Sequence, residues 1–363
     1  MGEKTKHVDF LIVGGGIAGT TLALELQKLG ASVTIYDNQF KRSSSRVAAG
    51  LLSAMVPRNV RKTWLSDQIF PHVFNYYKSF EDQWNAHFID EIPTLQIHKN
   101  LRQVHNWTIR AGEPGFEKYL NINAPQLPEC MKPLNFDCIE VLLTGRLDVT
   151  KFIDLAKVHI PQKENSFYFE GQFHYNELIG DSGDWIYEEI KYSKVVFADG
   201  VNIHLNPFFN YLPFNPSGGD ILKVKIEGIP QSHILKKKEW LLPIGNNEWL
   251  AGSTYHSDNY STQEKKSDAD WLIQELESWV GKPIQLVEHK RGVRPTVAER
   301  RPYLGEHPSQ QNLFVYNGLG SKGSSLVSVL SEQFAQHLIN QAPLYSEVNI
   351  EQYHPLFLQK SEL

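Results

Sequence analysis

Cysteine is nearly absent from this 363-residue chain: only Cys130 and Cys138 occur. Two cysteines exclude a disulfide framework and a zinc site built from paired CxxC units, and two free thiols in a reducing cytosol is the simpler reading. No surplus of positive charge exists either, since 36 Lys and Arg face 41 Asp and Glu for a formal net charge of -5. That balance argues against a protein that coats nucleic acid, because non-specific phosphate binding needs an excess of basic residues. No window approaches the roughly 18 apolar residues that a membrane span requires. The apolar stretch after Lys4 and Lys6 is broken by Asp9 and a glycine triplet and has no cleavage-like end, so it does not read as a signal peptide. No internal repeat, low-complexity tract or H-x-x-x-H pair is found, and the fourteen histidines are read as non-ligands, with no metal expected. The expectation is a cytoplasmic protein without a membrane partner.

What is present is ordinary for a globular chain: 41% hydrophobic and 21% charged residues rule out wholesale disorder. At roughly 150 residues per domain the length suggests two domains, or one core with an inserted lobe. About three quarters of the unfolded surface can be buried at this size, so stability needs no staple.

The N-terminus spells strand, tight turn, helix, strand. Phe10 to Val13 is a short apolar run suited to a strand buried on both faces. Leu22, Leu26 and Leu29 recur at helical spacing, and Gly30 stands where a C-cap glycine belongs. Ser32 to Tyr36 is rich in β-branched residues and ends at Asp37. Asp148 is a plausible N-cap for a helix carrying Phe152, Ile153, Leu155 and Ala156. Val195 to Ala198, ending at Asp199-Gly200, is a second buried strand. Ile221 to Ser253 reads as short antiparallel strands with turns at 228–230 and 245–247, followed by a helix near 269–280. Leu313 to Tyr316 precedes a glycine-rich turn and an amphipathic helix with Leu326, Leu330, Phe334 and Leu338 at four-residue spacing. Between Trp64 and Cys138 the pattern blurs into mixed aromatic and polar residues, with one strand-like piece at Thr94 to His98. The reading is an α/β protein: a discontinuous nucleotide-binding domain (1–63, 139–205 and 290–363) with a β-rich lobe (64–138 and 206–289) inserted twice.

Gly14-Gly15-Gly16-Ile17-Ala18-Gly19 satisfies G-x-G-x-x-G between that first strand and helix, and Asp37 follows 18 residues after the third glycine. Gly14 permits the sharp turn, Gly16 lets a pyrophosphate reach the backbone, and Gly19 lets the helix pack on the strand. The helix N-terminus suits a phosphate, and Asp37 suits ribose hydroxyls. A dinucleotide is expected; the motif alone leaves FAD and NAD open.

Three further segments resemble the D-amino acid oxidase family of FAD enzymes, which includes glycine oxidase and sarcosine oxidase. Ser45-Arg46-Val47-Ala48-Ala49-Gly50-Leu51-Leu52 is similar to the family's S-x-x-A-A-G loop along the pyrophosphate and flavin. Gly292-Val293-Arg294-Pro295, with Arg301 to Pro308, is similar to its G-x-R-P … P-x-I-G segment. Asn317-Gly318-Leu319-Gly320-Ser321-Lys322-Gly323 opens the last helix, where the family places the flavin N1–C2=O edge. Within the family, that last turn and Gly252-Ser253-Thr254-Tyr255 look most like the oxidase half of the bacterial bifunctional enzyme that builds methylaminomethyl-uridine in tRNA. The dinucleotide motif starts within the first twenty residues, so the oxidase part alone is expected. Two departures stand out: Glu299-Arg300 in place of an Asp-Gly, and no Thr or Ser before Gly200.

The resemblance implies a Rossmann-like FAD-binding domain with an inserted, mainly antiparallel substrate sheet. FAD would be non-covalent, since no Cys or His stands near Arg294 where relatives tether it. FAD would be lined by Gly14, Gly16, Ile17, Ala18, Gly19, Asp37, Ser45, Arg46, Ala49, Gly50, Leu51, Leu319, Gly320, Ser321, Lys322, Gly323 and Ser324. Arg294 is implied as the clamp for a substrate carboxylate, since a guanidinium offers a planar bidentate fork. A salt-bridged arginine beside Lys290 and Arg291 is the alternative. Tyr255 would add a hydroxyl to that carboxylate, close the pocket, or serve as a core tyrosine. Lys322 and the helix N-terminus would favour negative charge at the N1–C2=O edge, or Lys322 is a solvated loop residue. The implied reaction is oxidation of the C–N bond of a small carboxylated amine, an amino acid or N-substituted glycine, by hydride transfer to flavin N5. Hydrolysis of the imine follows, and oxygen or another acceptor takes the electrons. The alternatives are a tRNA wobble-uridine oxidase and a flavin-binding subunit without turnover. A tRNA partner would meet Lys236-Lys237-Lys238 and the 290–301 stretch, the only basic clusters.

Overall fold

The computed structural model describes residues 6–39, 41–57, 60–123, 126–127, 129–131, 138–257 and 259–361. The Cys130 side chain lies outside the described residues; Cys138 is a free thiol. No helix among the described residues is long and apolar enough to cross a membrane.

The first strand, His7–Val13, has no polar face because it is central: it pairs in parallel with Val33–Asp37 on one side and Ile190–Phe197 on the other. Phe167–Glu170 extends the sheet beyond Val33–Asp37, and Leu313–Asn317 pairs in parallel with Ile190–Phe197. The register brings Val13 level with Tyr36 and Phe197, and Phe197 level with Val315. Four parallel strands therefore end together, and their carboxyl ends open on the same side. That is where open α/β sheets take ligands.

Two long helices close one face. Ile17–Lys28 and Gly323–Asn340 pack against each other, and Thr21 Oγ1 meets Ser331 Oγ at 2.8 Å between them. Asp148 caps Val149–His159 as expected, its side chain accepting from the Lys151 N–H. The expected helical row Leu326, Leu330, Phe334 and Leu338 is buried.

The second sheet is the inserted β layer. Ser217–Lys225, Glu248–Gly252 and Trp240–Gly245 run antiparallel in sequence, and Gln285–Arg294 pairs with the other edge of Ser217–Lys225. Ile234–Lys236 joins it in parallel to Thr94–Ile97, which pairs antiparallel with Cys138–Val141. The helix Lys266–Val280 covers its back, burying Leu272, Leu276 and Trp279 against Leu222, Val224 and Trp249.

The blurred stretch holds two helices that the periodicity did not reveal, His72–Trp84 and Leu101–Ala111. The first buries Val73, Phe74, Tyr76, Tyr77, Phe80 and Trp84. The expected boundary at 64 assigns it to the inserted lobe. Its aromatic face instead packs on Phe152 of the nucleotide-binding layer, and Tyr77 OH donates to Ser324 O at 2.7 Å.

His307, just after the strand Tyr303–Glu306, is enclosed by the rings of Phe208, Phe209, Tyr211 and Phe357. Its Nδ1 accepts from the Ser309 and Gln310 N–H groups at 3.2 and 3.0 Å, a role open only to the neutral ring. Burial pushes its pKa from 6.5 down to about 4. The unfolded chain therefore binds a proton in that window which the folded chain refuses, and stability falls as pH falls from 6.5 towards 4. Between about pH 7.5 and about pH 5, His307 should remove on the order of 2 kcal/mol of stability. Denaturant unfolding at the two pH values checks this against His307→Asn, whose Oδ1 can accept the same bonds without titrating. Equal acid sensitivity in both proteins would assign the loss to other groups.

Candidate active site

The strand ends open onto a cavity of about 460 Å³. Its walls come from the glycine turn, the 43–57 segment, the end of Ile190–Phe197, the inner face of the inserted sheet and the turn at 317–324.

At the glycine turn, space is set by backbone. A Cβ on Gly14 would lie 2.5 Å from the Ala198 carbonyl oxygen, and one on Gly19 only 2.0 Å from the Gly14 carbonyl oxygen. The N–H of Ile17 donates to Ser45 Oγ at 3.0 Å, and Ile17 and Ala18 face the cavity at the positive end of their helix. Asp37 ends its strand beside the turn; its Oδ2 accepts from Tyr168 OH at 3.0 Å. The second carboxylate oxygen is left to receive ribose hydroxyls. Across the turn, Asp199 is held by Asn317 Nδ2 at 2.9 Å on Oδ1, and by Tyr175 OH and Asn206 Nδ2 at 3.1 and 3.0 Å on Oδ2. Burial pushes its pKa up to about 6, and the three hydrogen bonds hold the carboxylate in place beside the turn. A crowded glycine backbone, a helix N-terminus facing the cavity and a free acidic acceptor at the next strand end fit the pyrophosphate and ribose of FAD.

Every residue expected to line the cofactor does face this cavity except Gly19, which lies behind the turn in the helix–strand contact. Lys322 also lines it, immediately before the last long helix, and burial brings its pKa down to about 8. None of the lining residues is cysteine or histidine.

Arg294 ends its strand with the guanidinium in the cavity wall. Nη1 and Nη2 donate to Gly218 O at 3.2 Å and Thr254 O at 3.4 Å, and a Cβ on Gly219 would lie 2.2 Å from both nitrogens. The arginine thus lies flat on bare backbone. Behind it, Asp220 is fully buried and already committed: Arg291 Nη1 lies 2.7 Å from its Oδ2, His289 Nε2 lies 2.8 Å from Oδ1, and Thr254 Oγ1 donates to Oδ2. Arg291 also reaches Asp268 at 3.0 Å, and His256 reaches Asp268 at 3.3 Å. Asp220, His256 and Asp268 place potential ligand atoms within 4.8 Å of one another. A guanidinium already bridges the two carboxylates, so the group is an ion-paired cluster rather than a vacant cation site. Arg294 keeps its charge available to the cavity.

Tyr255 is neither in the cavity wall nor in the core. The sheet strand stops at Gly252, and the Tyr255 side chain is 63% exposed with its ring 5.6 Å from Arg294 Cζ. The basic clusters expected to meet tRNA are split between the surface and the interior: Lys238, Lys290 and Arg300 are exposed. Lys236 lines the cavity, Arg291 is buried in the Asp220 cluster and Arg294 faces inward. Alternation explains it, since neighbouring residues of a strand face opposite sides. Sequence reading missed Lys236, Asp199 and Asn317 as site residues. Only Ile234-Leu235, an apolar pair leading straight into the lysine run, hinted that Lys236 begins inside the protein.

Comparison with known proteins matches residues 9–337 to the family model described as FAD dependent oxidoreductase. The chain is 22% identical over 396 residues to the tRNA 5-methylaminomethyl-2-thiouridine biosynthesis bifunctional protein MnmC of Haemophilus ducreyi, covering 92% of this chain. It spans 56% of that relative's length. It is 22% identical over 376 residues to the glycine oxidase of Pseudomonas putida, covering 92% of this chain and 95% of the relative. Among solved structures, iminodiacetate oxidase from Chelativorans sp. BNC1 superposes with a TM-score of 0.75 at 17% identity, covering 95% and 98% of the two chains.

The Gly19 contact gives a direct test of the cofactor end. Gly19→Ala forces a methyl group into the Gly14 carbonyl, so strand and helix must separate, at a cost of about 1–3 kcal/mol. The expected result is a lower flavin-to-protein absorbance ratio together with a lower melting temperature. Wild-type values of both would show that the close approach is dispensable.

Proposed function

The chain belongs to the family of FAD dependent oxidoreductases, and from that premise we propose that it oxidises the C–N bond of a small amine carrying a carboxylate. The observation that carries this reading is Arg294. It is a cation in the cavity wall whose carboxylate neighbour, Asp220, is already occupied by Arg291. When bound, FAD supplies the hydride acceptor. Arg294 then fixes the substrate by its carboxylate, with the amine-bearing carbon turned to the flavin. Lys322 and the N-terminus of Gly323–Asn340 place positive charge where the flavin N1–C2=O edge would lie. No side chain need remove a proton from carbon; the substrate enters as the free amine. The product imine is hydrolysed by water.

A carboxymethylamino group borne on tRNA would present the same chemistry to Arg294. The inward turn of Lys236 and Arg291 leaves fewer cations to hold phosphates, which favours a free small molecule.

We also propose that FAD is held without a covalent bond, supported by a lining that lacks cysteine and histidine. Acid precipitation should leave a yellow supernatant and a colourless pellet. A pellet that keeps the flavin overturns it.

Arg294→Ala removes a bidentate, charge-assisted contact and leaves a substrate carboxylate unpaired, at a cost of about 2–5 kcal/mol. Arg294→Lys should recover only part of this, since an ammonium cannot reproduce the fork. The measurement is anaerobic bleaching of the flavin by glycine, sarcosine and iminodiacetate against concentration, with the oxidised flavin spectrum as the folding control. Bleaching of Arg294→Ala at wild-type apparent affinity and rate removes the clamp. A wild-type protein that no amine bleaches removes amine oxidation itself.

A further inference from the structure

Six charged residues line the cavity: Asp37, Arg46, Asp199, Lys236, Arg294 and Lys322. Asp37 and Asp199 stand at strand ends beside the glycine turn, and Arg46 is paired with Asp154 at 2.5 Å. The remaining three are cations. Arg294 is held only by neutral carbonyls. Neither lysine ammonium has a hydrogen-bond or ion-pair partner among the described residues, and each lies close enough to the other for Lys236 to disfavour the charge on Lys322. Bound FAD would present its pyrophosphate to the glycine turn and its N1–C2=O edge to Lys322. Arg294 and Lys236 then remain, two cations facing a substrate.

Lys236 is placed by the sheet rather than by chance of a loop. It is the last residue of Ile234–Lys236, paired in register with Gln96 on one side and Trp240 on the other. The Gln96 amide donates to the Lys236 and Lys237 carbonyls, each at 3.2 Å, which fixes the end of the strand. Lys236 also lines a small pocket that shares Leu51, Ser53, Met55 and Pro57 with the main cavity and is closed by Thr94, Gln96 and Val141. A buried ammonium with no counter-ion among the described residues is held at an energetic cost unless an anion meets it. Burial lowers its pKa to about 8, which still leaves it largely charged at neutral pH.

We infer that Lys236 forms a second anion subsite, and that the substrate is an amine bearing two acidic groups, one on Arg294 and the other on Lys236. This rests on the amine-oxidation reading for the reaction, but the subsite is a matter of binding alone. It commits to a chemistry that Arg294 by itself does not require, since a single clamp would accept glycine or sarcosine equally well.

Binding can be read without turnover. Diglycolate, the inert ether analogue of iminodiacetate, and its monoamide differ by one negative charge at nearly equal size. Each is titrated into the purified, oxidised holoenzyme and followed by perturbation of the flavin spectrum. The dianion should bind about 10- to 100-fold tighter than the monoamide. That preference should fall to near unity in Lys236→Met and be largely kept in Lys236→Arg. No preference in the wild-type protein overturns the subsite without reference to any variant. A preference that survives Lys236→Met also overturns it, and assigns the second charge elsewhere. Should the dianion preference hold while no amine bleaches the flavin, the subsite stands and the proposed reaction alone fails.

Discussion

Gly14 approaches the strand Ile190–Phe197 so closely that a Cβ there would fall 2.5 Å from the Ala198 carbonyl oxygen, and the cofactor end of the cavity is built around that contact. It holds the turn between first strand and first helix against the end of the neighbouring strand. The helix N-terminus is then level with Asp37 on one side and Asp199 on the other. Gly19 repeats the device one helical turn later against the Gly14 carbonyl. Neither contact contributes much attraction. Both set where everything else lies, because the parallel register carries the same alignment from Val13 to Phe197 and on to Val315. The last strand accordingly delivers the 317–323 turn to the same level.

The inserted sheet has a different task, which is to hold positive charge at a surface that must also be dry. A buried carboxylate with no partner costs several kcal/mol, and removing one member of a buried pair typically costs about 3–5 kcal/mol. Asp220 is therefore enclosed by Arg291, His289 and Thr254 before it can reach Arg294. The consequence is a division of labour between two arginines three residues apart. Arg291 neutralises the interior acids, and Arg294, on bare glycine backbone, is left for the cavity. Their odd spacing along the strand sends the two side chains to opposite faces, and the facing Gly218-Gly219 pair leaves room for both guanidinium groups.

Much of the nucleotide-binding layer was legible because its signals are local. The glycine spacing, the strand that ends at Asp37, the Asp148 cap and the four-residue repeat of the last helix each lie within twenty residues of chain. The helix His72–Trp84 was not legible, and the reason is compositional. Its buried face is made of Phe, Tyr and Trp interleaved with Lys, Glu and Asp, so bulky rings on a single face read as strand-like aromatic mixing. Lys236 was misread for a similar reason. Three successive lysines look like a solvated patch, whereas the strand period of two sends neighbours to opposite faces and the strand ends at the first of them. Tyr255 is not the core tyrosine that is one of its readings, because the chain has already left the sheet at Gly252 and its ring lies exposed over Arg294.

The cavity thus receives its two halves from two sheets with opposite electrostatic character. The parallel layer contributes backbone donors, a helix end and carboxylates held by hydrogen bonds, which suits a ligand whose own charge is at its phosphates. The inserted layer contributes side-chain cations with no counter-ion of their own among the described residues. If the substrate carries a carboxylate, as proposed, a single continuous cavity can hold it beside an anionic cofactor only if their charges are met at separate places. Lys322 lines the same cavity at the start of the helix that packs on Ile17–Lys28. Its ammonium, Lys236 and Arg294 give the cavity three cations without a carboxylate ion-pair partner among the described residues. Negative charge developing on a bound flavin would be favoured rather than opposed beside these cations.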